Sequence, residues 1–335
     1  MPHRPTAVFA LSERARQEAF PVPVLDRLRR LVRLDPAVTF TTFDSPAARA
    51  ALADAEILIS GWGAPRIDSG VLAAAPRLRA VVHAAGTVKR HVDEAVFEHG
   101  IVVTSAAQAN ALPVAEFTMA ALTLGAKAAF TRARRYAAPR PAGGWPADRG
   151  PGLLGSTIGI VGASRIGRLV LERLRDIDAT VLLADPHVTA SQARSLGAEL
   201  RDLDTLCAHS DLLSLHAPAL PETRHLLDAR RLALLPDGAV VINTARGALI
   251  DTAALVAECV TGRISALLDV TDPEPLPTDH PLFALDNVFI TPHLAGAEGP
   301  EVRRLGEFAT AEIARFLRGD PLRGRIHLDH LAWIA

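Results

Sequence analysis

The sequence predicts an α/β protein made of two doubly wound parallel-sheet domains, and three observations carry that prediction. A chain of 335 residues is longer than one domain usually holds. Short apolar runs rich in Val and Ile alternate with stretches of helical spacing. A tract dense in Pro and Gly divides the alternation into two series.

In the first series, AVFAL (7–11), ILIS (57–60), AVVHAAG (80–86) and IVVTSA (101–106) read as buried parallel strands. From Asn110, NALPVAEFTMAALTLGAKAAFTRARRY reads as a helix of over twenty residues, long enough to bridge two domains. Pro113 falls in its expected first turn, where proline is tolerated. AAPRPAGGWPADRGPG (137–152) reads as a surface loop.

The second series supplies six strands: TIGIVGAS (157–164), TVLLADP (180–186), DLLSLHAP (211–218), AVVINTARG (239–247), ISALLDV (264–270) and NVFITPH (287–293). Stretches such as RIGRLVLERLRDI and DTAALVAECVTG supply the helices between them. GPEVRRLGEFATAEIARFLRGD (299–320) reads as a helix that returns to the first domain. The expected division is therefore a discontinuous domain, 1–107 plus 298–335, and a continuous one, 108–297. Two domains invite a cleft, whose closure would expel water.

Composition narrows the function. With 49% hydrophobic and 22% charged residues and a net charge of −1, nothing asks for nucleic acid or an anionic membrane as partner. Lys89 and Lys127 are the only lysines among 36 basic residues. Cys207 and Cys259 are too few for a disulfide framework and lack the spacing of a zinc or thiol-exchange motif, so no metal is expected. The N-terminus lacks an apolar run of signal-peptide length, and no segment approaches the roughly 20 apolar residues of a membrane span. The expected location is the cytoplasm.

TIGIVGASRIGRLV places a glycine turn between a β-branched strand and an amphipathic helix, the context a Rossmann-type dinucleotide fingerprint needs. Gly162 makes the tight turn and Gly167 lets the helix pack closely. Ser164 stands where the middle glycine is expected. Two readings are open: it merely fits beneath the pyrophosphate, or its hydroxyl donates to it. The amides of Arg165 and Ile166 face outward at a positive helix terminus in either case. A tight turn that binds no nucleotide is the structural alternative.

Asp185 follows 18 residues after Gly167, close to where an acidic residue receives the adenosine ribose hydroxyls. A carboxylate repels a 2′-phosphate, which favours NAD over NADP. A turn aspartate before Pro186 is the alternative, and His187 with nearby arginines weighs against exclusive NAD use.

NTARG (243–247), LDVTDPEPLP (268–277) and TPHLAG (291–296) close three successive strands, at the edge where ligands bind in such sheets. Arg246, Glu274 and His293 are the candidates there. An arginine offers a planar fork of donors that suits a 2-oxo acid. A histidine exchanges protons near neutrality, and a neighbouring carboxylate stabilises its charged form and fixes its orientation. Structural alternatives are a helix-capping arginine, a solvated glutamate and a satisfied buried histidine.

Through the order GASRIG, ADP, SLHAP, INTARGALID, LDVTDPEPLP, HPL and ITPHLAG, the chain resembles the D-isomer-specific 2-hydroxyacid dehydrogenase family over nearly all of residues 80–300. The resemblance implies a Rossmann-type NAD domain, a flavodoxin-like substrate domain and a homodimer. It assigns Arg246 to the substrate carboxylate and carbonyl, Glu274 to the histidine and His293 to proton transfer. It also assigns Asp269 to the nicotinamide carboxamide, with Thr244 and Ala245 lining the same pocket, although Asp269 equally suits a capping role. His216 is either near the cofactor or structural.

The match departs in the substrate loop, where the family pattern AGxGxDNID reads AAGTVKRHVD (84–93). Val88 replaces the second glycine and Arg90 the acid. Amides around Gly86 and Thr87 are left to hold the substrate carboxylate, and Lys89 with Arg90 suits a second acidic group or phosphate, or is a solvated basic turn. Trp62 either overlooks the cleft, favouring an apolar substituent, or packs between domains.

The expected function is NAD-dependent interconversion of a D-2-hydroxy acid and a 2-oxo acid. Glyoxylate or hydroxypyruvate reduction within the family is the enzymatic alternative. A non-catalytic NAD-sensing interaction protein such as a corepressor is the alternative of a different class.

Overall fold

The computed structural model describes residues 4–137 and 150–331, so most of the expected 137–152 loop lies outside the described residues. The chain divides into two compact units, one running to Asn110 and resuming at Ala297, the other Ala111–Gly296.

The first unit is laid on four parallel strands, β1 (Ala7–Ala10), β2 (Ile57–Ser60), β3 (Ala80–His83) and β4 (Val102–Ser105), in that spatial order. Successive side chains point to opposite faces. Phe9, Ile57, Ile59 and Val82 therefore face one core, shared with Leu305, Ala309 and Ile313 of the helix Arg303–Arg318. Val8, Leu58 and Val81 face the other, with Leu52 and Val71. Both faces are covered, which is why these runs are apolar throughout rather than alternating. Single-residue bridges from Arg33 to Thr6 and from Thr39 to Phe9 extend the sheet beyond β1, the flavodoxin-like order in reduced form.

The second unit carries a seven-stranded parallel sheet: β5 (Thr157–Val161), β6 (Thr180–Ala184), β7 (Glu199–Leu200), β8 (Leu212–Leu215), β9 (Val240–Asn243), β10 (Ser265–Leu268) and β11 (Val288–Ile290). Its order is β11-β10-β9-β8-β5-β6-β7, so the order reverses between β5 and β8. That switch point is where such sheets receive ligands. The sequence shows six of the seven strands, because β7 is two residues long and half polar. A final strand, β12 (Arg325–Ile326), returns antiparallel to β4 in the first unit. Buried Glu312 anchors that return, its carboxylate accepting from the amides of Arg323 and Gly324.

The long helix differs from expectation at both ends. It spans Ala107–Ala126, so Pro113 lies inside it rather than in the first turn. Ala128, in a left-handed conformation at φ 47°, breaks it from a second helix, Ala129–Ala137. Cys207 and Cys259 are buried, and burial pushes both thiols up to about 12, outside the range of a nucleophile at neutral pH. No described helix is long and apolar enough to cross a membrane.

Candidate active site

The glycine turn leaves β5 at Gly162, whose φ of +97° suits glycine alone. A Cβ there would stand 2.7 Å from the Ala217 amide, and one on Gly167 would stand 2.1 Å from the Gly162 carbonyl. The turn thus folds tightly onto both the neighbouring strand end and its own helix, Arg165–Leu174. Ser164 is the helix N-cap, with φ −63° and its Oγ accepting from the Gly167 amide at 3.3 Å. The backbone here adopts an ordinary extended conformation, so its dihedral angles do not call for glycine. The amides of Arg165 and Ile166 open the helix and have no intrahelical acceptor.

Asp185 ends β6 against this turn. Its Oδ2 accepts from the Ala163 amide at 2.7 Å and its Oδ1 from the His187 amide at 2.8 Å. Each oxygen keeps acceptor capacity beyond these bonds. His216 lies behind the turn, buried, with Nε2 2.9 Å from Ser214 Oγ. Burial pushes its pKa down to about 3, so the ring is neutral. It supports the turn through its backbone, its amide bonding the Val161 carbonyl.

Beyond β9 the chain turns through Thr244, Ala245 and Arg246. Fully buried Asn243 braces the turn, its Oδ1 accepting from the Ala245 amide and its Nδ2 donating to the Arg246 carbonyl. Thr118 donates its hydroxyl to the Val114 carbonyl, so Thr244 is the donor in their 2.8 Å contact. Arg246 is half-buried and donates from one guanidinium nitrogen to the Ala245 carbonyl at 2.5 Å. A Cβ on Gly247 would stand 2.0 Å from the Thr271 carbonyl. The arginine turn is therefore packed main chain to main chain against the loop that carries Glu274.

His293 is held from below. The carboxylate of Asp269, 3% exposed, accepts from Thr291 Oγ1, Leu294 N and Ala295 N at 2.7, 2.8 and 3.0 Å. Its own carbonyl accepts from the His293 amide at 2.9 Å. This clamp surrounds a histidine at φ 55°, a left-handed conformation uncommon outside glycine. His293 Nδ1 lies 2.5 Å from Glu274 Oε1. A carboxylate only accepts, so the bridging proton rides on Nδ1 and Nε2 is left for exchange.

In the first unit, the loop after β3 bears Gly86, Thr87 and Lys89. The amides of Gly86, Thr87 and Val88 have no acceptor among the described hydrogen bonds, whereas the Lys89 amide meets Thr87 Oγ1 at 3.4 Å. Val88, placed by the family pattern at a glycine, is fully buried in the core beside Leu72 and Val92. Trp62 follows β2 and is 37% exposed.

The second unit thus brings Arg246, Glu274, Asp269 and His293 to adjacent strand ends, and Gly162 to Gly167 with Asp185 to two others of the same sheet. Gly86, Thr87 and Lys89 belong to the other unit. Sequence reasoning missed Asn243, Thr118, Thr291 and Asn110, whose roles are bracing ones. Asn110 bonds the Ala297 amide through Oδ1 and turns Nδ2 toward Gly86. Only the position of Asn243 at a strand end hinted at any of them.

These residues fit a dinucleotide: two open helix-terminal amides, a turn that only glycine permits and a carboxylate at the next strand end define a dinucleotide-binding α/β domain. Residues 121–295 match the D-isomer specific 2-hydroxyacid dehydrogenase, NAD binding domain, and the chain belongs to that family. A D-3-phosphoglycerate dehydrogenase of Methanocaldococcus jannaschii is 33% identical over 83% of this chain and 53% of its own. A glyoxylate reductase of Thermofilum pendens is 36% identical over 76% of each. A solved structure of a Thermus thermophilus protein superposes with a TM-score of 0.75 at 33% identity, covering 96% of this chain and 99% of that one. The chain spans about half the length of the D-3-phosphoglycerate dehydrogenases it matches.

Proposed function

We propose that this chain is an NAD-dependent oxidoreductase that interconverts a D-2-hydroxy acid and a 2-oxo acid. The observation that carries the reading is the His293–Glu274 pair at 2.5 Å, set over the Asp269 clamp on the ligand edge of the NAD-binding sheet.

Bound NADH supplies the hydride. Arg246 presents its guanidinium to the substrate carboxylate and carbonyl, a planar match that lysine lacks. His293 hands a proton from Nε2 to the carbonyl oxygen, and Glu274 holds the imidazolium in place through Nδ1. Asp269 keeps that ring aimed through the turn beneath it. Ser164 caps the helix while the amides of Arg165 and Ile166 receive the pyrophosphate, and Asp185 receives the ribose hydroxyls. Ala245 and Thr244 line the nicotinamide side. The open amides of Gly86 and Thr87 take an anionic group of the substrate, and Lys89 adds charge for a second one. A homodimer completes the reading, supported by the family resemblance.

A narrower reading, a glyoxylate reductase, is favoured by the Thermofilum pendens relative, which matches over most of its own length. NADH absorbance followed with a panel of 2-oxo acids, glyoxylate and a phosphorylated member included, separates these. His293→Ala is expected to lower kcat by about 10²–10⁴-fold while NADH still binds. Tight NADH binding with no turnover of any 2-oxo acid points instead to an NAD-sensing interaction protein. Lys89→Ala is expected to weaken dicarboxylate or phosphorylated substrates selectively; equal loss for every substrate removes Lys89 from the site.

A further inference from the structure

His83 closes β3 immediately before the loop that carries the open amides. The ring is 1% exposed, and Nδ1 lies 2.9 Å from Ser60 Oγ at the end of β2. Nε2 makes no hydrogen bond of full geometry and meets the Thr87 main chain only in a weak one. A buried polar nitrogen left in this state is costly and rare.

The loop around it is anchored on both sides. On one side the Ala84 amide bonds the Ser60 carbonyl and the Ala85 carbonyl accepts from Ala106. On the other, the Val88 carbonyl accepts from the amides of His91 and Val92, and His91 Nδ1 lies 3.0 Å from the Ala64 carbonyl. Gly86 and Thr87 form the short span between these anchors, backed by that nitrogen. The Thr87 carbonyl and the Val88 N–H belong to one trans peptide and point in opposite directions. A donor that draws the carbonyl inward therefore aims the amide outward.

We propose that His83 is a positioning residue for the substrate: its Nε2–H closes on the Thr87 carbonyl when an anionic group seats on the Gly86–Val88 amides, so that this bond is completed only in the bound state. Burial keeps the ring neutral with a single proton. Ser60 donates to Nδ1 and thereby holds that proton on Nε2. The inference rests on the reading of this loop as the holder of the substrate's anionic group.

The test is steady-state reduction of the best 2-oxo acid from the panel by the full chain, with NADH affinity measured separately by fluorescence. His83→Leu is expected to raise KM about tenfold, the effect of leaving a buried acceptor unpaired, with kcat within about twofold and NADH affinity unchanged. His83→Gln, which can place an N–H near the position of Nε2, is expected to recover most of the loss. Ser60→Ala is expected to raise KM about threefold, because the ring is no longer held in one tautomer. A KM for His83→Leu within twofold of wild type, a parallel fall in kcat and NADH affinity, or a Gln variant no better than Leu overturns the inference. If His83→Leu does not fold, an unchanged KM in Ser60→Ala overturns it alone. A wild type that reduces no 2-oxo acid overturns the reading of the site, and this inference with it.

Discussion

The strand ends of the two units treat their polar groups in opposite ways. In the second unit each acidic or amide side chain at the ligand edge ties down a neighbouring loop: Asp185 holds Ala163, Asn243 holds Ala245, and Asp269 holds Leu294 and Ala295. In the first unit the amides of Ala85 to Val88, in the loop after β3, have no acceptor among the described hydrogen bonds, with the buried His83 ring behind them. Groups that act on reacting atoms need fixed geometry, and on the proposed reading the second unit supplies it in advance. The loop of the first unit keeps its donors unengaged, the arrangement expected of it on the proposed reading.

The largest way to break this contrast is Gly167→Ala. Its Cβ would stand 2.1 Å from the Gly162 carbonyl, so the turn must move. A loss of about 3 kcal/mol in urea unfolding and failure to bind NADH are expected; near-native stability would show that the turn is not rigid. Next is Asp269→Asn, which replaces one acceptor oxygen by a donor facing the clamp. A fall of about a hundredfold in kcat with unchanged NADH affinity is expected if the residue acts by aiming His293. Weakened NADH binding with kcat intact would return it to the nicotinamide carboxamide instead.

Acid should reveal what the units share. His83 and His216 are each buried, with pKa values pushed down to about 3 by desolvation, in the case of His83 with His91 as a further contributor. Between about pH 6.5 and 3 the unfolded chain binds protons that these folded rings refuse, so stability falls with pH by roughly 1.4 kcal/mol per unit for each ring. Urea unfolding from pH 7 to 5 measures the slope, and His216→Gln should flatten it by one ring's share. The smallest effect belongs to Ser164. Removing the cap with Ala is expected to cost about 1 kcal/mol and with Gly a few tenths, with NADH affinity unchanged in both. A weaker NADH complex in both would give the hydroxyl a phosphate contact as well.

Much of the architecture was legible because parallel strands covered on both faces announce themselves as apolar runs, as at ILIS and AVVH. What escaped was short or set by tertiary partners. Glu199–Leu200 carries too little pattern to register as a strand, and the long helix starts at Ala107 after an alanine, with only Ser105 Oγ accepting from the Ala107 amide at 3.4 Å. In the site, Arg246, Glu274 and His293 stood out because their residue types suggest chemistry. Thr118, Thr291 and Asn110 did not, since a hydroxyl or amide that braces a loop looks like any other until its partner is known. Val88 is the reverse case: the family pattern has a glycine there, and only the structure shows that the valine fills the core.

The contact of Gly247 with the Thr271 carbonyl sets where this scaffold can be diversified. Because the arginine turn and the glutamate loop touch through their backbones, no choice of side chain at the interface can reshape one without dislodging the other. On the proposed reading, a library built to alter substrate preference is better confined to Trp62, Gly86, Thr87, Lys89 and Arg90, with core Val88, 243–247 and 269–274 left invariant.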